Sequence, residues 1–102
     1  MYTVIWRFTV KPARRADFER HYGADGTWAA LFRLGAGYLG TDLLRDTARN
    51  DVYVTIDRWT TAAAFTAFKA THGTAYAALD RECEDLTEKE ERLGVIAEPG
   101  SP

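Results

Sequence analysis

The sequence predicts an α+β fold of the split βαβ, ferredoxin-like plan: a four-stranded antiparallel sheet, order 4-1-3-2, with helices on one face only. Two observations carry this. A strand–helix–strand scheme occurs twice, opened first by the alternating segment Tyr2-Thr3-Val4-Ile5-Trp6-Arg7-Phe8-Thr9-Val10 and then by Val52-Tyr53-Val54-Thr55-Ile56-Asp57-Arg58-Trp59. A polar turn at residues 47–51 joins the second and third strands as a hairpin.

Each element follows from local pattern. In the first strand Val4, Trp6, Phe8 and Val10 share one face, and Thr3, Ile5, Arg7 and Thr9 the other. Lys11-Pro12 ends it, with Pro12 suited to a helix start. Phe18 and Tyr22, four apart, mark the apolar side of a first helix, which Gly23 and Asp25-Gly26 stop. Thr27 reads as the N-cap of a second short helix carrying Trp28, Leu31 and Phe32. Gly35-Ala36-Gly37 then leads into a strand over about Tyr38 to Asp46.

After the third strand, Thr60 or Thr61 caps a helix with Phe65, Phe68 and His72 on one side. Gly73 is expected to weaken or kink it, and Thr74 to recap a further helix bearing Tyr76, Leu79, Cys83 and Leu86. Thr87-Glu88-Lys89-Glu90 has capping-box spacing and predicts one more helical turn, followed by a short last strand at residues 94–97. Residues 1–97 form a single domain and 98–102 a flexible tail.

Composition bounds the function. Of 102 residues, 46% are hydrophobic and 27% charged, as in a globular chain, and a net charge of −2 offers no basic footprint for nucleic acid or an anionic membrane. No apolar run approaches the roughly 20 residues of a membrane span, and the N-terminus reads as a strand instead of a signal peptide. The single Cys83 cannot form an internal disulfide, which makes a reducing cytoplasm the expected setting. The sheet face away from the helices would carry Ile5, Val52, Val54 and Ile56. Such an apolar face calls for cover, and a second copy of the chain, giving a homodimer, is the expected one. Arg7 and Arg58 share that face and are expected to pair with acids such as Asp42 or Asp46 across the dimer.

Several segments resemble the antibiotic biosynthesis monooxygenase domain family: Tyr2 to Lys11 with Pro12, the Gly37-Tyr38-Leu39-Gly40 entry to the second strand, the Thr55-Ile56-Asp57-Arg58-Trp59 exit of the third, and the aromatic helix Ala64-Phe65-Thr66-Ala67-Phe68. The resemblance covers roughly residues 1–97. It implies a dimeric α/β barrel and, in one branch, oxygenases that need no metal or flavin and act on polyphenols, anthrones or quinols with O2. A haem-degrading branch uses Asn, Trp and His at positions that fall here at Trp6, Phe68 and Ala78, none of which carries the needed group.

The residues that could do such chemistry are few. Trp6 and Trp59, with Phe65, Phe68 and Trp28, are candidates for an aromatic slot, the alternative being plain core packing. His72 and Tyr76, four apart, would stack on one face of a continuous helix, His72 as a base and Tyr76 as a hydrogen-bonding phenol; alternatively Gly73 ends the helix and His72 caps it. Asp57 would be an acid on the helix-facing side of a central strand, where an unpaired charge is costly, so it is either a raised-pKa base or half of an ion pair. His21 is expected at the surface with Tyr22 in the core, and Cys83 as a buried inert thiol. No metal-ligand cluster or phosphate loop is legible.

These readings converge on a cofactor-independent monooxygenase of a flat aromatic molecule. The competing expectation is a non-catalytic dimer that binds a small hydrophobic molecule or serves in stress.

Overall fold

The computed structural model describes residues 1–100. Its elements are β1 (Tyr2–Val10), α1 (Arg15–Tyr22), α2 (Thr27–Phe32), β2 (Tyr38–Arg45), β3 (Val52–Trp59), α3 (Ala62–Cys83) and β4 (Thr87–Ala97). The strands form one antiparallel sheet in the order β2-β3-β1-β4, the expected ferredoxin-like arrangement.

Strand register sets the two faces. Val4 pairs with Asp57, Trp6 with Thr55 and Phe8 with Tyr53, so these residues point to the same side. On that side Phe8, Val10, Tyr53 and Trp59 are buried against Phe18, Tyr22, Trp28 and Phe32 of the short helices and Phe68, Leu79 and Cys83 of α3. Trp59 is 0% exposed. Its ring centroid lies 5.2 Å from that of Tyr38, 5.4 Å from that of Phe65 and 5.2 Å from that of Phe68. Large apolar rings removed from water this completely are the main stabilising term of the domain.

Three local expectations are corrected by tertiary packing. The kink expected at Gly73 is present but falls one residue earlier, at His72 (φ −113°, ψ 22°), and α3 continues through Gly73 to Cys83 instead of ending there. Burial of Phe68 before the kink and of Leu79 and Cys83 after it holds both halves on the sheet, outweighing a glycine penalty of about 1 kcal/mol. Thr27 is not an N-cap; that place is Gly26, and the Thr27 hydroxyl instead meets His21 Nδ1 at 3.0 Å. Accordingly His21 is buried and not at the surface.

The third correction is the largest. Residues 87–90 form the start of a long β4 instead of a helical turn. Leu86 is buried at 1% exposure and its carbonyl accepts from Lys11 N at 3.0 Å, delivering the following chain onto the free edge of β1, where Val10 pairs with Thr87 and Phe8 with Glu90. A ladder of backbone bonds outweighs a local capping pattern. Thr61 does cap α3, accepting from Ala64 N at 3.1 Å.

The open face of the sheet carries half-buried Ile5, Val54 and Ile56, with Leu44 53% and Ile96 55% exposed. The expected inter-subunit ion pairs are satisfied within the chain. Arg58 Nη1 binds Asp42 Oδ2 across the β2–β3 ladder at 2.7 Å, and Arg7 Nη2 binds Glu91 Oε2 at 3.1 Å. Asp46 closes its own turn, accepting from the amides of Ala48 and Arg49. Of the predicted tail, 98–102, residues 101 and 102 lie outside the described residues.

Two glycines let the loop before β2 reach the core. Gly37 has φ +91°, and a Cβ there would stand 2.4 Å from Thr60 Oγ1. A Cβ on Gly35 would stand 2.9 Å from the Phe68 ring and 3.0 Å from that of Trp59.

Candidate active site

Between the sheet, α3 and the α1–α2 pair lies a cavity of about 130 Å³. Trp6 and Phe8 of β1, Thr41 of β2, and Thr55 and Asp57 of β3 line it from the sheet. Tyr22 of α1, Trp28 and Phe32 of α2, and Tyr76 and Asp80 of α3 line it from the helices, and Glu90 of β4 closes one side. The aromatic walls are mutually braced. Trp28 meets Tyr76 edge-on at 5.0 Å, Phe8 meets Tyr22 at 4.9 Å, and Trp6 stacks on Phe8 at 6.2 Å.

Asp57 is the notable polar group. It sits on a central strand, facing the helices, and its carboxylate accepts from Thr41 Oγ1 at 2.5 Å. Thr41 in turn meets Tyr38 Oη at 2.6 Å. Because the single Thr41 hydrogen goes to Asp57, Tyr38 is the donor in that second bond. Burial pushes the Asp57 carboxyl up to about 6, and the Thr41 hydrogen bond holds it from going higher. Tyr76 is raised above the ordinary phenol range by burial and by the charges of Asp80, Asp57 and Glu90, and so stays protonated. Glu90 is also raised, by burial and by the charges of Asp80 and Glu84.

The structure divides the sequence-predicted residues. Asp57, Tyr76, Trp6 and Trp28 come together in the cavity. His72 does not. It lies at the kink of α3 with its ring 5.3 Å from that of Phe68, lining a separate groove with Gly35, Gly37 and Thr60. The four-residue spacing of His72 and Tyr76 places them on one face only along an unbroken helix, and the kink removes that condition. Trp59, Phe65 and Phe68 pack beside the cavity without lining it, Trp59 being full core. Cys83 is buried as expected, and burial raises its thiol.

Thr41, Thr55, Asp80 and Glu90 were not singled out from sequence. Asp80 follows Tyr76 by four on α3, a spacing that was readable. Glu90 could not be placed while residues 87–90 read as helix; its facing follows only from its pairing with Phe8. Among the described residues no group of three or more His, Cys, Asp and Glu is arranged to hold a metal ion, and no helix is long and apolar enough to cross a membrane.

Comparison with known proteins agrees with this architecture. The family model for antibiotic biosynthesis monooxygenases matches residues 1–78. SnoaB from Streptomyces nogalater, a cofactor-independent oxygenase, superposes with a TM-score of 0.72 at 29% identity, covering 98% of this chain and 94% of that one. PA3566 from Pseudomonas aeruginosa gives a TM-score of 0.62 at 26% identity, covering 94% of each chain. A Deinococcus radiodurans protein provisionally named for the same family shares the fold at a TM-score of 0.75 and 13% identity, covering 100% of this chain and 96% of that one. No curated protein matches the chain significantly.

Proposed function

Since the chain belongs to the antibiotic biosynthesis monooxygenase family, we propose that it is a cofactor-independent monooxygenase whose substrate, a flat polyphenol, anthrone or quinol, enters the cavity lined by Trp6, Trp28 and Tyr76. The observation that carries this reading is Asp57: a carboxyl on the sheet floor of an aromatic cavity, with its pKa raised to about 6. The likeness to SnoaB supports the reaction class.

At neutral pH Asp57 is mostly ionised and takes a proton from the substrate. Against a phenol of pKa ~10 the transfer is uphill by ~4 units, or ~5 kcal/mol. That is small beside the ~16 kcal/mol barrier of an enzyme turning over about ten times per second. The transfer leaves the net charge of the cavity unchanged, because Asp57 becomes neutral as the substrate becomes anionic. Protonated Tyr76 then donates a hydrogen bond to the developing oxyanion.

The substrate anion gives one electron to O2, and the resulting radical and superoxide combine to a peroxide. For an anthrone methylene, loss of the second C–H proton with cleavage of the O–O bond yields the ketone and water. One oxygen atom enters the product and the other leaves as water, so no external reductant is required. Aromatic walls keep the anion from bulk water.

The apolar open face, with Leu44 and Ile96 exposed, supports assembly as a homodimer, and the lone Cys83 supports a reducing, cytoplasmic setting. Oxygen uptake tests the function: the protein is mixed with anthrones and hydroquinones without added cofactor, beside Asp57→Asn. Uptake lost in the variant is expected. Equal uptake by both would remove Asp57 as the base. Tight binding with no uptake by either would select the non-catalytic ligand-binding alternative.

A further inference from the structure

Resting on the reading of Asp57 as the base, we infer that Tyr38, which stands outside the cavity, is its positioning residue: the phenol holds the Thr41 hydroxyl turned toward the carboxylate, and a bulge in β2 lets it reach. Tyr38 and Thr41 are three apart on one strand, and in regular pleating residues three apart face opposite sides. Here both face the helices. Tyr38 pairs with Trp59 and packs on the Trp59 and Phe32 rings, at 5.2 and 5.5 Å, while Thr41 pairs with Asp57 and lines the cavity. The register shifts between Tyr38 and Gly40, so that Leu39 has no partner on β3, and it is 55% exposed. One extra residue restores the common face. Gly40 takes φ +142° in the bulge, a backbone angle that a side chain resists. The Gly37-Tyr38-Leu39-Gly40 segment thereby acquires a role in the site although only Thr41, just beyond it, lines the cavity.

The phenol acts through one shared atom. Tyr38 Oη lies 2.6 Å from Thr41 Oγ1, which donates to Asp57 Oδ1 at 2.5 Å. A threonine hydroxyl has one hydrogen and rotates to suit its partners. With the Tyr38 hydrogen on the Thr41 oxygen, the Thr41 hydrogen is directed to Asp57, and each bond strengthens the other. The same oxygen, already accepting, is a poorer acceptor for a protonated Asp57. Both effects favour the carboxylate over the acid. Among the described residues no other side chain makes a hydrogen bond to Asp57. The remaining titratable groups at the cavity are Tyr22 of α1, Tyr76 of α3, and the exposed Asp80 of α3 and Glu90 of β4; β1 and α2 present only apolar rings and an indole. Arg33 and Asp25, whose charges reach Tyr38, are paired with each other at 2.9 Å.

Carbon-13 NMR titration tests this without substrate, with aspartate labelled at the carboxyl carbon and the Asp57 signal assigned by its loss in Asp57→Asn. Tyr38→Phe keeps the ring between Phe32 and Trp59 and removes only the hydroxyl. It is expected to raise the proton affinity of Asp57 by about threefold, an upward move of about half a pH unit. Thr41→Val is expected to move the titration further, and adding Tyr38→Phe to Thr41→Val to move it no more. The acid limb of oxygen uptake is expected to follow the same order. An Asp57 titration left in place by Tyr38→Phe overturns the inference, and a loss of stability alone in that variant reads as packing. A shift that adds to that of Thr41→Val also overturns it, because Tyr38 would then act by another route. Wild type without oxygen uptake, but with this order of titrations intact, overturns the oxygenase reading and leaves the coupling of Tyr38 to Asp57 standing.

Discussion

Thr41 on β2 donates a 2.5 Å hydrogen bond to Asp57 on β3, directly across the ladder that pairs the two residues. Among the described residues it is the one side-chain hydrogen bond made to Asp57, a carboxylate that faces an aromatic cavity. It stabilises the ionised form against the burial that disfavours it. The geometry and proton affinity of the proposed base therefore depend on a neighbouring hydroxyl.

Removing that hydroxyl gives the first prediction. Thr41→Val keeps the side-chain volume but deletes the donor, so the Asp57 pKa is expected to rise further. The acid limb of the pH–rate profile for oxygen uptake should move to higher pH, while the rate on the high-pH plateau changes little. A limb that stays in place would show that Thr41 does not tune the base.

Asp57 itself links function to stability. Its folded-state pKa of about 6 lies above the ordinary carboxyl value of 3.8. The folded state therefore binds the proton more tightly than the unfolded chain. This contribution to stability is fully present below the unfolded pKa and is lost as pH rises through about 6. A shift of this size corresponds to an upper bound of about 3 kcal/mol, less after partial solvent screening. Asp57→Asn should abolish uptake yet raise stability at pH 8 by roughly 1–3 kcal/mol in urea unfolding, with the advantage fading toward pH 4. A variant less stable than wild type at pH 8 would contradict the burial argument.

His72 provides a contrast. It lines a different groove and packs on Phe68. His72→Ala is expected to leave oxygen uptake within about twofold and to cost about 1 kcal/mol or less, as for an ordinary half-exposed site. A large loss of rate with folding intact would bring His72 back as a catalytic group.

Gly37 holds a backbone conformation that a side chain resists, with no room for a Cβ beside Thr60 and Ala64. Gly37→Ala should destabilise the protein by roughly 1–3 kcal/mol, read as a lower urea midpoint with an unchanged slope. The same change at Gly73, where a Cβ meets nothing within 4 Å, should be neutral or stabilising by up to about 1 kcal/mol, since it lies within α3.

Much of the fold was legible in the sequence because strands declare their faces. Alternation in residues 2–10 and 52–59 sets which side chains share a face, and the polar turn at 47–51 sets the hairpin. Parity puts Asp57 on one face with Trp59, and Trp6 on one face with Val4, Phe8 and Val10; that these faces meet the helices was what the family resemblance implied. The aromatic positions were readable as buried, but whether a ring is wall or filling was not. Trp59 became core and Trp28 became wall, although both are tryptophans next to apolar helices.

What only the tertiary structure decided is where the helices leave the sheet uncovered. Periodicity orients one element about its own axis; it says nothing of the distance between two elements. The cavity lies between α3 and the α1–α2 pair, and His72, at the kink of α3, lines another groove while Tyr76 and Asp80 line this one. β4 reached the site for a related reason: a free edge of β1 recruits residues 87–90 into backbone pairing that no local pattern announced, and this turns Glu90 toward Phe8. The sequence by itself thus determined the sheet, its two faces and the face that Asp57 shares with Trp59. Long-range packing alone decided which other groups stand around that acid.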